Sequence, residues 1–550
     1  MDTFVIVLMV IFLFVIAYRQ YSSFLVSRLD LLGERVSPQP QVGRQPDHPD
    51  DAPTELPILL AQHTSSIAGA GPIIGPIIAG IAFGWLPVFL WILIGNIFIG
   101  ATHDFAALAL SLRYESKSIA EVVRHRFGRK VYRLFGFLIW LSLSALIVVF
   151  TNLTAVTFVD MTYGKAIVKS SLFYLLLSLV VGFLITRWRF LLWTITGFAV
   201  IFLFFIILKS ETLPFPLPKW FALEHVWKWE WVILGYCFVA SVLPMRLLLR
   251  PNGYLGGYFM YTSLALGLIG LLIGSLLGDV QPIYPPFHGF WSLKEGPLFP
   301  MLFVIVACGA CSGFHGLVCS GVSSKLIEKR EDARLVGYGG MLLEGGVALI
   351  TLATLMVISS NAATVFNDPT QIYINGLSHI LGFIGVNRDW AGYFAILSLA
   401  TFVYDTLDVA TRIGAYLIQE GAGWAGRGGE YGRRTAGALG SLLLPALVLF
   451  LYPAESYLAF WPVFAAANQL LAGLTLLVIS KCLAGERGMP LYTLIPGVFV
   501  LVMALSALFL LVVPWVRSVL QGRFYLDVAP ALGIILIVVT ARILMEIFKR

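Results

Sequence analysis

The sequence predicts an all-α integral membrane protein, and three observations support this fold class. Apolar residues make up 59% of the 550 residues and charged residues only 12%, whereas soluble domains have roughly 45–50% and 25%. Mean hydropathy is +0.87. Apolar runs longer than about 18 residues recur along the whole chain. This composition excludes a soluble enzyme, a nucleic-acid-binding protein, a disulfide-rich secreted scaffold and a disordered chain.

Apolar stretches bounded by charged residues predict about fifteen transmembrane helices. Their approximate bounds are 4–18, 56–83, 85–112, 134–154, 171–187, 190–208, 230–249, 257–278, 300–322, 336–359, 391–416, 435–452, 457–479, 492–515 and 527–547. The first of these is short for a span. A further apolar piece, Ile374–Val386, is too brief to cross the roughly 30 Å hydrocarbon core, so we predict a re-entrant or surface helix there.

The distribution of positive charge predicts the orientation. With fifteen spans the two termini lie on opposite sides, and 28 of the 37 Lys and Arg residues fall in loops on the side of the C-terminus. The positive-inside rule therefore predicts a cytoplasmic C-terminus. The most basic loop, Ser116–Arg133, is predicted to be an amphipathic helix on that surface. The net charge of +7 is then juxtamembrane charge facing an anionic leaflet, and no nucleic-acid partner is predicted.

The span 56–83 is interrupted near its middle. It reads HTSSIAGAGPIIGP there, so that two prolines follow a run of small and polar residues. Proline removes a backbone donor and glycine allows non-helical geometry, which predicts an unwound segment. In lipid, unwound backbone is tolerated only where protein or a water-filled cavity satisfies its polar groups. The candidate substrate-binding residues of this span are His63, Ser65, Gly69 and Gly71.

The span 300–322 is interrupted in the same way and contains VACGACSGFHGLVCSG. A pair of discontinuous helices of opposite direction, one in each half of a chain, is typical of a secondary transporter with an inverted repeat. Close helix packing through small residues would explain the glycines of both spans. It would not explain the prolines of the span 56–83 or the histidines in both spans. The candidate substrate-binding residues here are Gly309, Ser312, Gly313 and His315.

Ionisable side chains inside spans cost about 2.5–3.5 kcal/mol each to insert, so each one suggests a function. Asp104 and Glu344 lie within the third and tenth spans, and the span 391–416 holds Asp405, Asp408 and Arg412. Asp408 and Arg412 are four residues apart, which predicts a structural ion pair on one helix face. Asp405 has no such cation nearby, so we predict that it binds the coupled proton. Asp104 and Glu344 are further proton-coupling candidates.

A pair of adjacent amides marks the span 457–479. Asn468 and Gln469 follow three alanines within FAAANQLLAG. Amide side chains both donate and accept hydrogen bonds, so they suit either a polar substrate or an unwound backbone segment. We therefore include both residues among the candidate substrate-binding residues.

The cysteines allow a different hypothesis, a membrane-embedded metal or redox protein. Cys308, Cys311 and His315 lie on one helical face of the span 300–322 and are ligand types for soft metals. Cys319 continues this face, but it would lie about 16 Å from Cys308 along a straight helix, too far to share one ion. We therefore predict no bound metal and no cofactor. A metal or redox site on this face remains one alternative, and a channel remains another.

Several long motifs occur in a fixed order along the chain: HTSSIAGAGPIIGPIIAGIAFGWLPVFLWILIGNIFIGATHDF, ACGACSGFHGLVCSGVSSKL, EDARLVGYGGMLLEG, DVATR and FWPVFAAANQLLAG. These motifs resemble the carbon starvation protein A family of bacterial transporters. The resemblance implies a transporter core over 56–480, preceded by a first helix and a polar cytoplasmic loop in 1–55 and followed by two C-terminal helices in 481–550. It also implies a bacterial inner-membrane protein with a five-plus-five inverted-repeat core.

The resemblance further implies uptake of short peptides or pyruvate, coupled to protons, without enzymatic activity. A small carboxylate-bearing nutrient fits the residue pattern, because half-helices that begin at the breaks offer free N–H groups and the positive end of a helix dipole. His63 and His315 can add hydrogen bonds or titrate near neutral pH. The predicted partners are therefore a small-molecule substrate, protons and the lipid bilayer.

Overall fold

The computed structural model describes residues 2–29, 53–160, 162–209, 224–245, 247–278, 280–361, 368–422, 429–452, 457–484, 489–522 and 527–549. The polar loop predicted within 1–55 lies mainly outside these residues. The described chain is almost entirely helical, with one short antiparallel ribbon of two strands, β1 (Trp291–Ser292) and β2 (Gly296–Pro297).

The first half of the described chain contains twelve helices. They are α1 (Thr3–Arg19), α2 (Tyr21–Leu29), α3 (Leu56–Ile67), α4 (Gly71–Phe83), α5 (Trp85–Gly95), α6 (Ala101–Arg113), α7 (Ile119–Phe127), α8 (Arg129–Val159), α9 (Gly164–Arg187), α10 (Leu192–Leu208), α11 (Val226–Val242) and α12 (Leu249–Leu277). A π-helical turn, Asn96–Gly100, joins α5 to α6, and a 3₁₀ turn, Arg189–Leu191, precedes α10.

The second half contains shorter helices around its own interruption. They are α13 (Leu298–Ile305), α14 (Gly313–Val318), α15 (Ser324–Leu326), α16 (Gly340–Met356), α17 (Pro369–Gly382), α18 (Arg388–Gly421), α19 (Glu430–Leu451), α20 (Tyr457–Leu483), α21 (Leu491–Leu520) and α22 (Val528–Phe548). Two further π-helical turns, Cys319–Ser323 and Arg334–Gly339, join α14 to α15 and lead into α16.

The predicted class, an all-α membrane protein, is confirmed. Within the described residues, twelve helical segments are long and apolar enough to cross a membrane. The other three predicted spans correspond to α10 and α11, which have 17 residues each, and to the interrupted segment from α13 to α15. The count of fifteen and the inverted repeat remain predictions.

The first span is longer than the sequence suggested. Together α1 and α2 form a helical segment of 27 residues, Thr3–Leu29, because the helix resumes after Gln20 instead of ending at the first charged residues. The segment predicted as a short helix near Ile374–Val386 forms α17, and one face of α17 is buried. The basic loop forms α7, capped by the side chain of Ser118.

A few helices form the buried centre of the molecule. The most apolar windows of α18 and α20 are fully buried, and that of the interrupted segment α3–α4 is 89% buried, whereas those of α12 and α22 are only 33% and 39% buried. The central α3 packs against α12 and α16, and α14 packs against α20. Polar side chains on the central helices are therefore enclosed by protein, as polar groups at membrane depth require.

Candidate functional site

The first interruption separates α3 from α4. Backbone of Ala68 and Gly69 leaves helical geometry, with the Gly69 N–H donating to Ile67 O at 2.9 Å. The hydroxyl of Thr406 on α18 donates to the freed carbonyl of Ser66 at 3.1 Å. The break arises because Pro72, in the first turn of α4, cannot continue the hydrogen-bond ladder of α3. The predicted unwound segment is thus present, and a neighbouring helix supplies part of its hydrogen bonding.

The second interruption separates α13 from α14, and the predicted amide pair lies against it. The side-chain oxygen of Asn468 accepts from Phe314 N at 2.8 Å, and its nitrogen donates to Ser312 Oγ at 2.9 Å. Gln469 Nε2 donates to the Cys311 carbonyl at 2.9 Å. Both amides therefore bind the unwound backbone in this conformation. The Phe314 N–H at the start of α14 is accordingly occupied, and is not free for a substrate.

The two interruptions meet each other. A Cβ atom placed on Gly71 would lie 2.3 Å from Cβ of Cys308 and 2.5 Å from its Sγ. On the other side of the second break, a Cβ on Gly313 would lie 2.4 Å from Asn468 O and 2.5 Å from Ala472 N. Only glycine allows such close approach of backbone to neighbouring atoms. The unwound segments thus form one continuous region at the centre of the molecule.

A fully buried chain of ionisable side chains lies beside this region. On α6, Asp104 contacts two imidazoles: its Oδ1 lies 2.7 Å from His103 Nδ1 and its Oδ2 lies 3.0 Å from Nδ1 of His315, two residues into α14. The other ring nitrogen of His315, Nε2, lies 3.2 Å from Oε2 of Glu344 on α16. All four side chains have no solvent exposure. Two of the three predicted proton-coupling carboxylates are therefore brought together by His315.

His63 lies near the same chain. Its Nδ1 is 2.8 Å from the hydroxyl of Ser323, in the π-helical turn after α14. Its ring lies against the backbone of Gly340, where an added Cβ would be 2.9 Å from Cδ2. His63 thus connects the end of α3 to the half-helix that carries His315.

A second polar cluster lies on the other side of α3. The hydroxyl of Ser65 donates to Asp405 Oδ2. Farther along α18, Asp408 Oδ2 accepts from the Tyr236 hydroxyl at 2.8 Å and from Asn252 Nδ2 at 3.2 Å. His63 and Ser65 are two residues apart and therefore point to different sides of α3. The end of α3 thus separates the cluster around His315 from the cluster around Asp405.

Arg412 has a role that the sequence did not indicate. Its Nη2 donates to the carbonyls of Ala240 and Leu243 at 2.5 and 2.6 Å. These carbonyls belong to the C-terminal end of α11, where helix ends leave unpaired acceptors and a partial negative charge. The predicted ion pair between Asp408 and Arg412 remains a prediction.

The remaining predicted residues line the backbone breaks. Gly69 faces the side chains of Phe150 and Thr406, and an added Cβ there would lie 2.7 Å from each. Gly309 faces Ala348 on α16. In the part of the chain that the structure describes, no group of three or more His, Cys, Asp or Glu side chains is arranged to hold a metal ion.

Several residues of the two clusters were not among the candidates from the sequence. They are His103, Ser323, Tyr236 and Asn252. His103 was detectable as an ionisable residue inside a span and directly before Asp104. Tyr236 lies in a helix without a motif, so only the tertiary contact with Asp408 reveals it.

A family model for carbon starvation protein CstA matches residues 2–384 and 367–507 of this sequence. The chain belongs to the carbon starvation protein CstA family. The resemblance predicted from the motifs is therefore confirmed, and the matched region includes both interruptions and both polar clusters.

Curated relatives of this CstA-family chain have names that describe transporters. A protein of Helicobacter pylori named peptide transporter CstA is 30% identical over 91% of this chain and 80% of its own length. The peptide transporter CstA of Escherichia coli is 28% identical over 90% of this chain and 79% of its own length. The pyruvate/proton symporter BtsT of Escherichia coli is 29% identical over 65% of this chain and 49% of its own length.

A solved structure shares the fold. The manganese transporter of Eremococcus coleocola, in complex with an aromatic bis-isothiourea substituted compound, matches this CstA-family structure with a TM-score of 0.53 at 13% identity, over 90% of this chain and 95% of the other. At this identity the likeness concerns the fold alone. The helices of the CstA-family protein thus have an arrangement known in a membrane transporter.

Proposed function

We propose that this protein is a secondary transporter that imports a small carboxylate-bearing nutrient, a short peptide or pyruvate, together with protons. The observation that carries the proposal is the meeting of two unwound helices at Gly71 and Cys308, beside a fully buried chain of histidine and carboxylate groups. Membrane proteins keep unwound backbone and buried charge where a substrate or ion passes. The names of the relatives supply the substrate classes.

The geometry suits a carboxylate at the first break. The helix α4 begins at Gly71 and has 13 residues, so the positive end of its dipole lies where the two unwound segments meet. A carboxylate is stabilised at such a position, and both a peptide and pyruvate carry one. The candidate contacts for the rest of the substrate are His63, Ser65, Gly69, Gly309, Ser312, Gly313, His315, Asn468 and Gln469. In this role Asn468 and Gln469 exchange their present backbone hydrogen bonds for bonds to the substrate.

A crevice lies near the second break, between α7, α8, α18 and the π-helical turn after α14. Its lining comes from the chain after the second break and from the helices around it. The lining residues are Ser118, Ile119, Ala120, Ile139, Leu317, Ser320, Gly321, Lys325, Ile413, Tyr416, Leu417 and Glu420. The crevice is small, with a cavity volume of about 30 Å³. It lies next to the basic helix α7, which the proposed orientation places on the cytoplasmic side.

Reconstituted protein tests the proposal. We expect liposomes containing the protein to accumulate pyruvate or a labelled dipeptide against its gradient when the lumen is alkaline, because substrate and proton enter together. Counterflow without a pH gradient should be saturable, which separates a transporter from a channel. Absence of both activities for pyruvate, dipeptides and amino acids would contradict the proposed function. A stoichiometric transition metal in the purified protein would favour the metal or redox alternative instead.

Cysteine labelling tests the proposed orientation in the inner membrane. In a variant with Cys482→Ser, the remaining native cysteines are buried, so a single introduced cysteine reports its own side. We expect Leu293→Cys, at a fully exposed position of the β-ribbon, to react with an impermeant maleimide in intact cells. Arg126→Cys, at an exposed position on α7, should react only after permeabilisation. The reverse pattern would show that the C-terminus is outside.

A further inference from the structure

The contacts of His315 join three residues that the sequence singled out separately into one possible proton site. Its two ring nitrogens each face a carboxylate: Nδ1 lies 3.0 Å from Asp104 Oδ2 and Nε2 lies 3.2 Å from Glu344 Oε2. The second approach does not have hydrogen-bond geometry, and neither Nε2 of His315 nor either carboxylate oxygen of Glu344 has a hydrogen-bond partner among the described residues. A single imidazole thus bridges two carboxylates at the centre of the protein.

The number of protons on His315 and the two carboxyl groups decides whether both contacts are attractive. A neutral imidazole carries one N–H, so it can donate to only one of the two carboxylates. At the other contact, a bare nitrogen and an ionised oxygen would both present lone pairs at close range without solvent, which is repulsive. One additional proton makes both contacts attractive, whether it resides on the ring or on a carboxyl group. The bridge therefore binds one proton more than neutral histidine with two ionised carboxylates.

We propose that the proton coupled to transport binds at the bridge formed by Asp104, His315 and Glu344, and not at Asp405. This inference rests on the proposed function as a proton-coupled transporter. His103 is a positioning residue, because its Nδ1 binds the remaining oxygen of Asp104 at 2.7 Å and so fixes the carboxylate plane. Asp405, by contrast, has a hydroxyl donor in Ser65 and no described imidazole in contact.

The bridge also connects proton binding to the break. His315 lies two residues after Gly313, at the start of the half-helix, whereas Asp104 and Glu344 lie on α6 and α16, which run past the break. Loss of the proton makes one contact repulsive and favours movement of the half-helix away from its neighbours. Binding of the proton favours the arrangement seen here, in which His315 lies close to both carboxylates. Proton occupancy thereby shifts the conformational equilibrium of the broken helix.

The surroundings of the bridge hold few other charges. The described titratable groups that face it are His63 on α3, His103 on α6, and the buried thiols Cys308, Cys311 and Cys319 around the second break. His63 bonds to Ser323 instead of a carboxylate. The bridge is therefore the place in this cluster where one added proton removes a repulsion between acceptors.

Glu344→Gln tests the proposal, because an amide is similar in size to a carboxyl group, carries no charge and presents an N–H group at every pH. We expect this variant to keep counterflow but to lose accumulation driven by a pH gradient. Coupling to one proton changes the apparent substrate affinity of the wild type by up to about tenfold per pH unit, and this dependence should be absent in the variant. Glu230→Gln is the matched control: Glu230 is also buried, accepts from Asn152 at 2.7 Å and lies outside the cluster.

A measurement without substrate keeps the test independent of the proposed function. Because the added proton stabilises the folded bridge, thermal stability of the wild type should fall as pH rises through its titration. This step should be absent in Glu344→Gln and present in Glu230→Gln and Asp405→Asn. A step lost in Asp405→Asn but kept in Glu344→Gln, or gradient-driven accumulation by Glu344→Gln, would overturn the proposal. If the wild type shows the step but transports none of the tested substrates, only the proposed function fails.

Discussion

Gly71→Ala is expected to abolish transport, because the added methyl group would occupy the contact between the two unwound segments. Its position lies 2.3 Å from Cβ and 2.5 Å from Sγ of Cys308, both closer than non-bonded atoms approach. Overpacking of this kind typically costs about 1–3 kcal/mol, and here it also separates the segments that form the proposed site. Counterflow in liposomes and the thermal unfolding midpoint measure the two effects.

A second substitution should reverse the loss. In Gly71→Ala/Cys308→Gly the clashing atoms are gone, and the nearest remaining atom, Cα of Cys308, is 3.6 Å away, an ordinary van der Waals distance. We therefore expect the double variant to regain transport and much of the lost stability. Gly235→Ala is the control, since no atom lies within 4 Å of the added Cβ. Full activity of Gly71→Ala alone would show that the segments separate easily and that this contact does not matter.

Arg412→Met is expected to cause the largest loss of folded protein. Arg412 is 1% exposed and donates to two carbonyls at the end of α11. Methionine is similar in size but cannot donate, so the carbonyls and the carboxylate of Asp408, one turn earlier on α18, lose a buried cation. Removing one member of a buried charged network typically costs about 3–5 kcal/mol. The yield of monodisperse protein and the thermal midpoint report the effect.

Two further variants show whether the loss of stability depends on the burial of Arg412 and on the charge of Asp408. Lys130→Met removes a cation whose partner, Glu546, lies at the surface, and exposed ion pairs contribute little, so we expect near wild-type stability. The loss of stability in Asp408→Asn/Arg412→Met should be smaller than the sum of the losses in the two single variants. The reason is that the amide removes a negative charge that Arg412 would otherwise offset. An unchanged midpoint for Arg412→Met would mean that other donors bind the end of α11.

The parts of the candidate site that depend on neighbouring residues in the chain could be predicted from the sequence. Glycine and proline impose their backbone effects within a few residues, so both interruptions were evident from the sequence, and so was the cost of each carboxylate inside a span. The sequence could not show that Asn468 and Gln469 bind the unwound backbone between α13 and α14, since they follow it by more than 150 positions. The prediction that Asp405 carries the proton used only neighbours along one helix, so it could not take account of residues on other helices.

The amino-acid sequence was sufficient to predict the membrane class, the approximate positions of the helices and the two breaks. Hydropathy and backbone chemistry act locally and leave a readable pattern. The contacts between polar groups became known from the folded arrangement of the helices. His315 is placed between Asp104 and Glu344 by three separate helices, and Arg412 reaches the end of α11 across a helix interface. Buried polar groups must find partners wherever packing brings them, and helix packing, unlike helix formation, depends on residues far apart in the chain.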